Sequence, residues 1–229
     1  MDFLTAIDWM AILKIIAIDI MLGVDNAIVI ALACAALPVA IRPKAILFGT
    51  AGAIILRIIL LVFASQLIGL SYIKLIAGAY LIFIGYSLLV SSEETHDIDA
   101  PNSMRAAIQT ILVADFMMSL DNVLAVVAAA QGAGSHSTFY AIAGILITIP
   151  VIIYGAQYII KVMDRYPIII WIGAGLLGWV GAEMMVTDLV LKPHLTGYWP
   201  LCLKIAGFGA VILAASLRKN MFTSQIKSE

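Results

Sequence analysis

Six polar side chains stand inside two long apolar runs: Asp19, Asp25 and Asn26 in "IDIMLGVDNAIVI", and Asp115, Asp121 and Asn122 in "ADFMMSLDNVLAV". Carboxylates and amide carbonyls are hard oxygen donors, the ligand type that suits Mg2+, Ca2+ and Mn2+. Zn2+ or Cu+ would favour histidine and cysteine clusters. Here His96, His136 and His194 fall in connections, and Cys34 and Cys202 lie far apart in different apolar runs, where buried thiols are expected. A lone ionised group at the centre of a membrane span costs about 2.5 to 3.5 kcal/mol on insertion scales. Such acids must therefore be protonated, paired, or hold a cation. Glu183 is a fifth acid in an apolar run, and Arg57 is the obvious cation facing the set. One guanidinium cannot neutralise five carboxylates, so salt bridging covers part of the set, with Arg57 matched to one acid as an internal counter-charge. Glu183 is expected behind the ligands, in a supporting or proton-relay role. Met21 and Met117 lie near the acids and are candidate softer ligands, although packing is the commoner role of a membrane methionine.

These residues need elements to hold them. In a regular helix Asp19 and Asn26 share a face, Asp25 sits about 100° round from Asn26, and the two aspartates are separated by roughly 9 Å of rise. The chain of 229 residues is 63% apolar and 12% charged, with a mean hydropathy of +1.09. That composition is far from a soluble domain and reads as an all-α, polytopic membrane protein. Runs long enough to cross a hydrocarbon core place seven spanning helices at about 9–33, 45–66, 70–91, 106–130, 138–160, 168–188 and 199–217. The longest connection, "SSEETHDIDAPNSMR", is polar and acidic, with Pro101 as a breaker. The opening "MDFLTAIDWM" lacks a basic signal-peptide start, so the first apolar run is expected to be retained as a helix.

The two motif stretches align without a gap. Ile15 meets Ile111, Asp19 meets Asp115, Met21 meets Met117, Asp25 meets Asp121 and Asn26 meets Asn122. The same offset carries Leu81, Gly85 and Val90 onto Leu177, Gly181 and Val186, and Ser87 onto Glu183. The expectation is one transmembrane domain over 1–229 built from an internal duplication, with repeat one at about 9–91, an acidic linker at about 92–105, repeat two at about 106–188 and a seventh helix at about 199–217. Three spans per half force the second repeat to enter the membrane upside down. This is the 3+3 inverted plan of many transporters, whose sites lie where the halves meet. Gly23, before the first Asp-Asn pair, either loosens its helix or permits close packing, and Pro150 either kinks the fifth span or is tolerated there.

Orientation follows the positive-inside rule. With the N-terminus outside and the C-terminus in the cytoplasm, the cytoplasmic side holds Arg42, Lys44, Arg105, Lys161, Arg165, Arg218, Lys219 and Lys227, against Lys14, Lys74, Lys192 and Lys204 outside. A formal net charge of −1 excludes a basic nucleic-acid binder.

The repeated "VDN" and "LDN" pairs, each with an aspartate six residues ahead, and the seven-span layout resemble the TerC family of membrane proteins. More narrowly the chain resembles the family's short bacterial YjbE-type branch, which is associated with manganese-responsive riboswitches. The resemblance covers nearly the whole chain. It implies a bacterial inner-membrane exporter of Mn2+ within the wider LysE-like superfamily, with a link to metallating exported proteins or to their translocation machinery. The family's acidic and amide positions fall at Asp19, Asp25, Asn26, Asp115, Asp121 and Asn122. Protons are the natural counter-ion for so acidic a site, and no organic cofactor and no enzymatic activity are expected. Export of Ca2+ or of amino acids, a non-transporting assembly role and intramembrane aspartyl proteolysis are the alternatives. The protease reading lacks the usual Gly-x-Gly-Asp stretch, and an amino acid carboxylate would find only Arg57.

Overall fold

A computed structural model describes residues 9–63, 70–94, 100–130 and 137–226. Among them the chain is helical throughout, because a backbone inside lipid must satisfy its own hydrogen bonds. Seven α-helices follow in order: α1 (Trp9–Ala35), α2 (Arg42–Val62), α3 (Ile73–Glu94), α4 (Ala100–Ala130), α5 (Ser137–Arg165), α6 (Ile168–Thr187) and α7 (Trp199–Ile226), with a short 3-10 turn at Lys192–His194. Five of these, α2, α3, α5, α6 and α7, contain stretches long and apolar enough to cross a membrane, and α1 makes a sixth when its two bent segments are taken together. Leu13, Ile55, Ile76, Ile147, Leu213 and Leu217 stand more than half exposed on the outside of the bundle, as lipid-facing side chains do.

The helix bounds depart from the sequence expectation where a residue was misread. Pro101 stops nothing: α4 begins at Ala100 and runs through it. A proline in the first turn gives up an N–H that has no helical partner anyway. The expected acidic linker therefore shrinks to the short stretch 95–99, which lies outside the described residues. α7 continues past its apolar stretch to Ile226, carrying Arg218 and Lys219 on helix. Pro150 leaves α5 continuous. α1 bends by 40° between Leu13–Met21 and Gly23–Ala35, and a side chain on Gly23 would press on Ile152 of α5 at 3.3 Å. Bend and close packing thus occur at the same glycine, with no unwound backbone.

The bundle is held by small-residue approaches of the kind that drive association in lipid. A Cβ on Gly78 of α3 would collide with the Gly181 carbonyl of α6, and one on Gly181 with the Gly78 carbonyl. Gly85 abuts the Ala174 carbonyl at the other end of the same crossing. Gly49 of α2 receives Ile111 of α4, and Gly144 of α5 receives Ile15 of α1. α7 packs on α6 through Gly178 and Gly207, outside these contacts. The helices that carry the two Asp-Asn motifs, α1 and α4, therefore cross in the middle, flanked by α2 and α5, while α3, α6 and α7 form a second layer.

Candidate cation site

Asp19 of α1 and Asp115 of α4 face each other across one guanidinium. Arg57 of α2 donates from Nη1 to Asp19 Oδ1 at 3.3 Å and from Nη2 to Asp115 Oδ1 at 2.6 Å. Its Nε donates to Ser119 Oγ at 3.2 Å, and the Ser119 hydroxyl donates to Asp115 Oδ2 at 3.2 Å. The other oxygen of Asp19 accepts from the Thr148 hydroxyl of α5. All five side chains are buried. Taking them from water costs several kcal/mol per ion, offset only because every charged atom has a partner of good geometry. Arg57 thus pairs with two acids, where the sequence reading matched it with one, and the two are the aligned aspartates of the internal similarity.

Asn26 lies on the same face of α1 as Asp19, one heptad further on. It is 3% exposed, and neither its Oδ1 nor its Nδ2 has a hydrogen-bond partner. The hydroxyl of Thr50, on α2 and 2% exposed, is likewise unpartnered. Both residues line one cavity of about 20 Å3, together with Arg57, Asp115 and apolar side chains that include Ile30, Ala53 and Ile152. A buried polar group left unsatisfied costs about 1 to 3 kcal/mol. A cavity of this size holds one water-sized guest.

Asp25 and Glu183 sit elsewhere. Asp25 is part-exposed and within electrostatic reach of Glu183 of α6. Glu183 has its own cation: Lys204 Nζ of α7 lies 2.5 Å from Glu183 Oε1 and 5.8 Å from the centre of the Trp179 ring. The expectation that Arg57 alone opposes the acids is therefore corrected, since Lys204 shares the task. Asn122 of α4 is buried, and the side chain of Asp121 lies outside the described residues. Met21 is 69% exposed on the outer surface, and Met117 borders an apolar groove between α2 and α4, so neither thioether lines the cavity. Cys34 is buried, but Cys202 is exposed on α7, contrary to the expectation of two buried thiols. Among the described residues no three His, Cys, Asp or Glu side chains converge as a ready-made cage for metal.

Four contributors were missed by sequence reasoning. Thr50, Thr148 and Ser119 are single hydroxyls in apolar runs, with no signal beyond their presence, although Ser119 occupies the place aligned with Gly23. Asp188, just past α6, is 1% exposed and accepts from the Tyr72, Leu75 and Val190 N–H groups at 3.4, 3.3 and 2.9 Å. It caps the N-terminus of α3 from the turn that follows α6, where a negative charge meets the positive end of the helix dipole.

The comparisons with known proteins agree with the membrane architecture. The profile of the family described as "Integral membrane protein TerC family" matches residues 4–227. The "Uncharacterized membrane protein YjbE" of Bacillus subtilis is 39% identical over 182 residues, which cover 80% of this chain and 82% of that protein. The "UPF0053 inner membrane protein YgdQ" of Escherichia coli K12 is 27% identical over 196 residues, 78% of this chain and 81% of its own. No solved structure matches.

Proposed function

The chain belongs to the TerC family of integral membrane proteins, and from that premise we propose that it exports a divalent metal cation, Mn2+ foremost, from the cytoplasm in exchange for protons. The observation that carries this reading is the Arg57 clamp. Two carboxylates from α1 and α4 converge on a single positive charge in the middle of the bundle. A place built for a cation between two halves, occupied by a tethered guanidinium, can exchange that guanidinium for a mobile ion. The acids outnumber Arg57 and Lys204, so the interior retains negative charge for a divalent guest or for protons.

Alternating access would rest on an inverted repeat, and the packing supports one. The contacts come in exchanged pairs: Gly49 on Ile111 corresponds to Gly144 on Ile15, and Gly85 on Ala174 corresponds to Gly181 on Gly78, once residues about 96 apart are equated. A two-fold relation between α1–α3 and α4–α6, with α7 added, produces such a pattern. With the N-terminus outside, Asp19 and Asp115 are the central ligands when Arg57 withdraws, Asn26 and Asn122 supply amide oxygens, and Asp25, Asp121 and Glu183 form the acidic approach. Both Nη atoms of Arg57 are already held by carboxylates, which argues against a guanidinium reserved for an amino acid substrate. The choice of Mn2+ over Ca2+ rests on the family resemblance, since an oxygen-only donor set suits both.

The test is uptake of a panel of divalent ions by inside-out vesicles with an acidic lumen. Wild-type protein should accumulate Mn2+ and alkalinise the lumen, and Asp115→Asn or Asp25→Ala should lower uptake to the background of empty vesicles. Wild-type rates in both variants, or no metal flux at all, would overturn the assignment.

A further inference from the structure

Thr50, whose buried hydroxyl has no partner, lines one cavity together with Asn26, whose amide is also unpartnered, and with Asp115. Resting on the exporter reading, we propose that Thr50 and Asn26 form a dehydrating station for the transported divalent cation, and that this station sets its preference for Mn2+ over Mg2+. Three residues with hard oxygen donors line the cavity, namely Thr50, Asn26 and Asp115. Its volume of about 20 Å3 has room for one water-sized guest. A divalent ion with its full hydration shell is far larger, so an ion enters only by trading most of its water for protein oxygen. Mg2+ gives up water reluctantly and demands octahedral ligation at short range, whereas softer, larger divalent ions tolerate an irregular set.

Two neutral oxygens beside one carboxylate also bind less tightly than two carboxylates. A transport pathway needs that: each station must hold the ion firmly enough to admit it and weakly enough to release it. Arg57 lines the same cavity, so guanidinium and metal exclude each other there by charge. The ion takes the station as the guanidinium withdraws.

The experiment compares Thr50→Val, Thr50→Ser and Asp115→Asn with wild type in purified, detergent-solubilised protein, reading Mn2+ binding by electron paramagnetic resonance with and without excess MgCl2. Valine keeps the shape of threonine and removes a hydroxyl that has no protein partner, so Thr50→Val should fold, which thermal unfolding of the same sample verifies. The expected result is Mn2+ affinity at least tenfold weaker in Thr50→Val, restored in Thr50→Ser, with Mg2+ displacing Mn2+ more readily from the valine variant than from wild type. Wild-type affinity and Mg2+ resistance in Thr50→Val, alongside lost binding in Asp115→Asn, would overturn the station and leave the exporter reading standing. Absence of Mn2+ binding in wild type would overturn both.

Discussion

Arg57 is the side chain on which the interior charge balance turns. Its three donating nitrogens reach Asp19, Asp115 and Ser119 at once, a fork that only a planar guanidinium supplies. Removing one partner of a buried pair strands the other, at a cost of about 3 to 5 kcal/mol. Arg57→Met should therefore lower the thermal midpoint of the purified protein more than Asp19→Asn or Asp115→Asn, because it strands two carboxylates at a stroke. A melting curve like wild type's would show that the acids find another counter-charge. The aspartates of this site were legible because charge in an apolar run is conspicuous. The hydroxyls were not, because most serines and threonines in membrane helices bond their own backbone. Thr110, Thr187 and Ser216 do so here, donating to carbonyls within one turn, and Thr148 also lies 2.9 Å from the Ile145 carbonyl, so nothing in the sequence separates them from Thr50 or Ser119. Tertiary placement alone makes that distinction.

Between helices, small contacts decide whether the site is assembled at all. Each of the backbones at Gly78 and Gly181 lies where the other's Cβ would be, so Gly181→Val must push α3 and α6 apart. The expected outcome is loss of folded protein in size-exclusion chromatography, whereas Gly209→Ala, with nothing within 4 Å of its added methyl, should elute as wild type. Asp188 is the second such device. It holds the first turn of α3 through the Tyr72 and Leu75 N–H groups, with Tyr72 at a φ of 68°. Asp188→Ala removes these acceptors and should cost about 1 to 2 kcal/mol in unfolding, the range of a lost N-cap. Length and apolar content located the seven α-helices seen among the described residues, five of them long and apolar enough to span a membrane and α1 a sixth when its bent segments are joined. The start of α4 escaped because Pro101 has two readings, breaker between helices or tolerated first-turn residue, and only the backbone chooses. Lys204 escaped for a related reason: near the end of an apolar run it looks solvated, and its pairing with Glu183 depends on α6 lying alongside α7.

At the scale of the whole bundle, one face is closed by Arg42. Its Nε donates to the Leu37 carbonyl and its Nη2 to the Ala35 carbonyl, both at 2.8 Å, which caps the end of α1, while Nη1 reaches Asp164 near the end of α5 at 2.7 Å. The residue thus ties the end of α1 to α5 just beyond the buried thiol of Cys34. The contributions are unequal. Asp164 is half exposed, and an exposed pair is worth about 0 to 1 kcal/mol. Charged hydrogen bonds to the Ala35 carbonyl at the end of α1 and to the Leu37 carbonyl just beyond it are worth about 1.5 to 3 kcal/mol each. Arg42→Ala should therefore open this face about tenfold or more, and Asp164→Ala only a few-fold. With Cys202 replaced by serine, the reaction of Cys34 with a membrane-impermeant thiol reagent reads that opening directly. Labelling should accelerate strongly in Arg42→Ala and weakly in Asp164→Ala, and it should do so in inside-out vesicles alone if α1 ends at the cytoplasmic face. Faster labelling in right-side-out vesicles would reverse the orientation. Equal rates in the two variants would make the ion pair, and not the carbonyl cap, the element that closes this face.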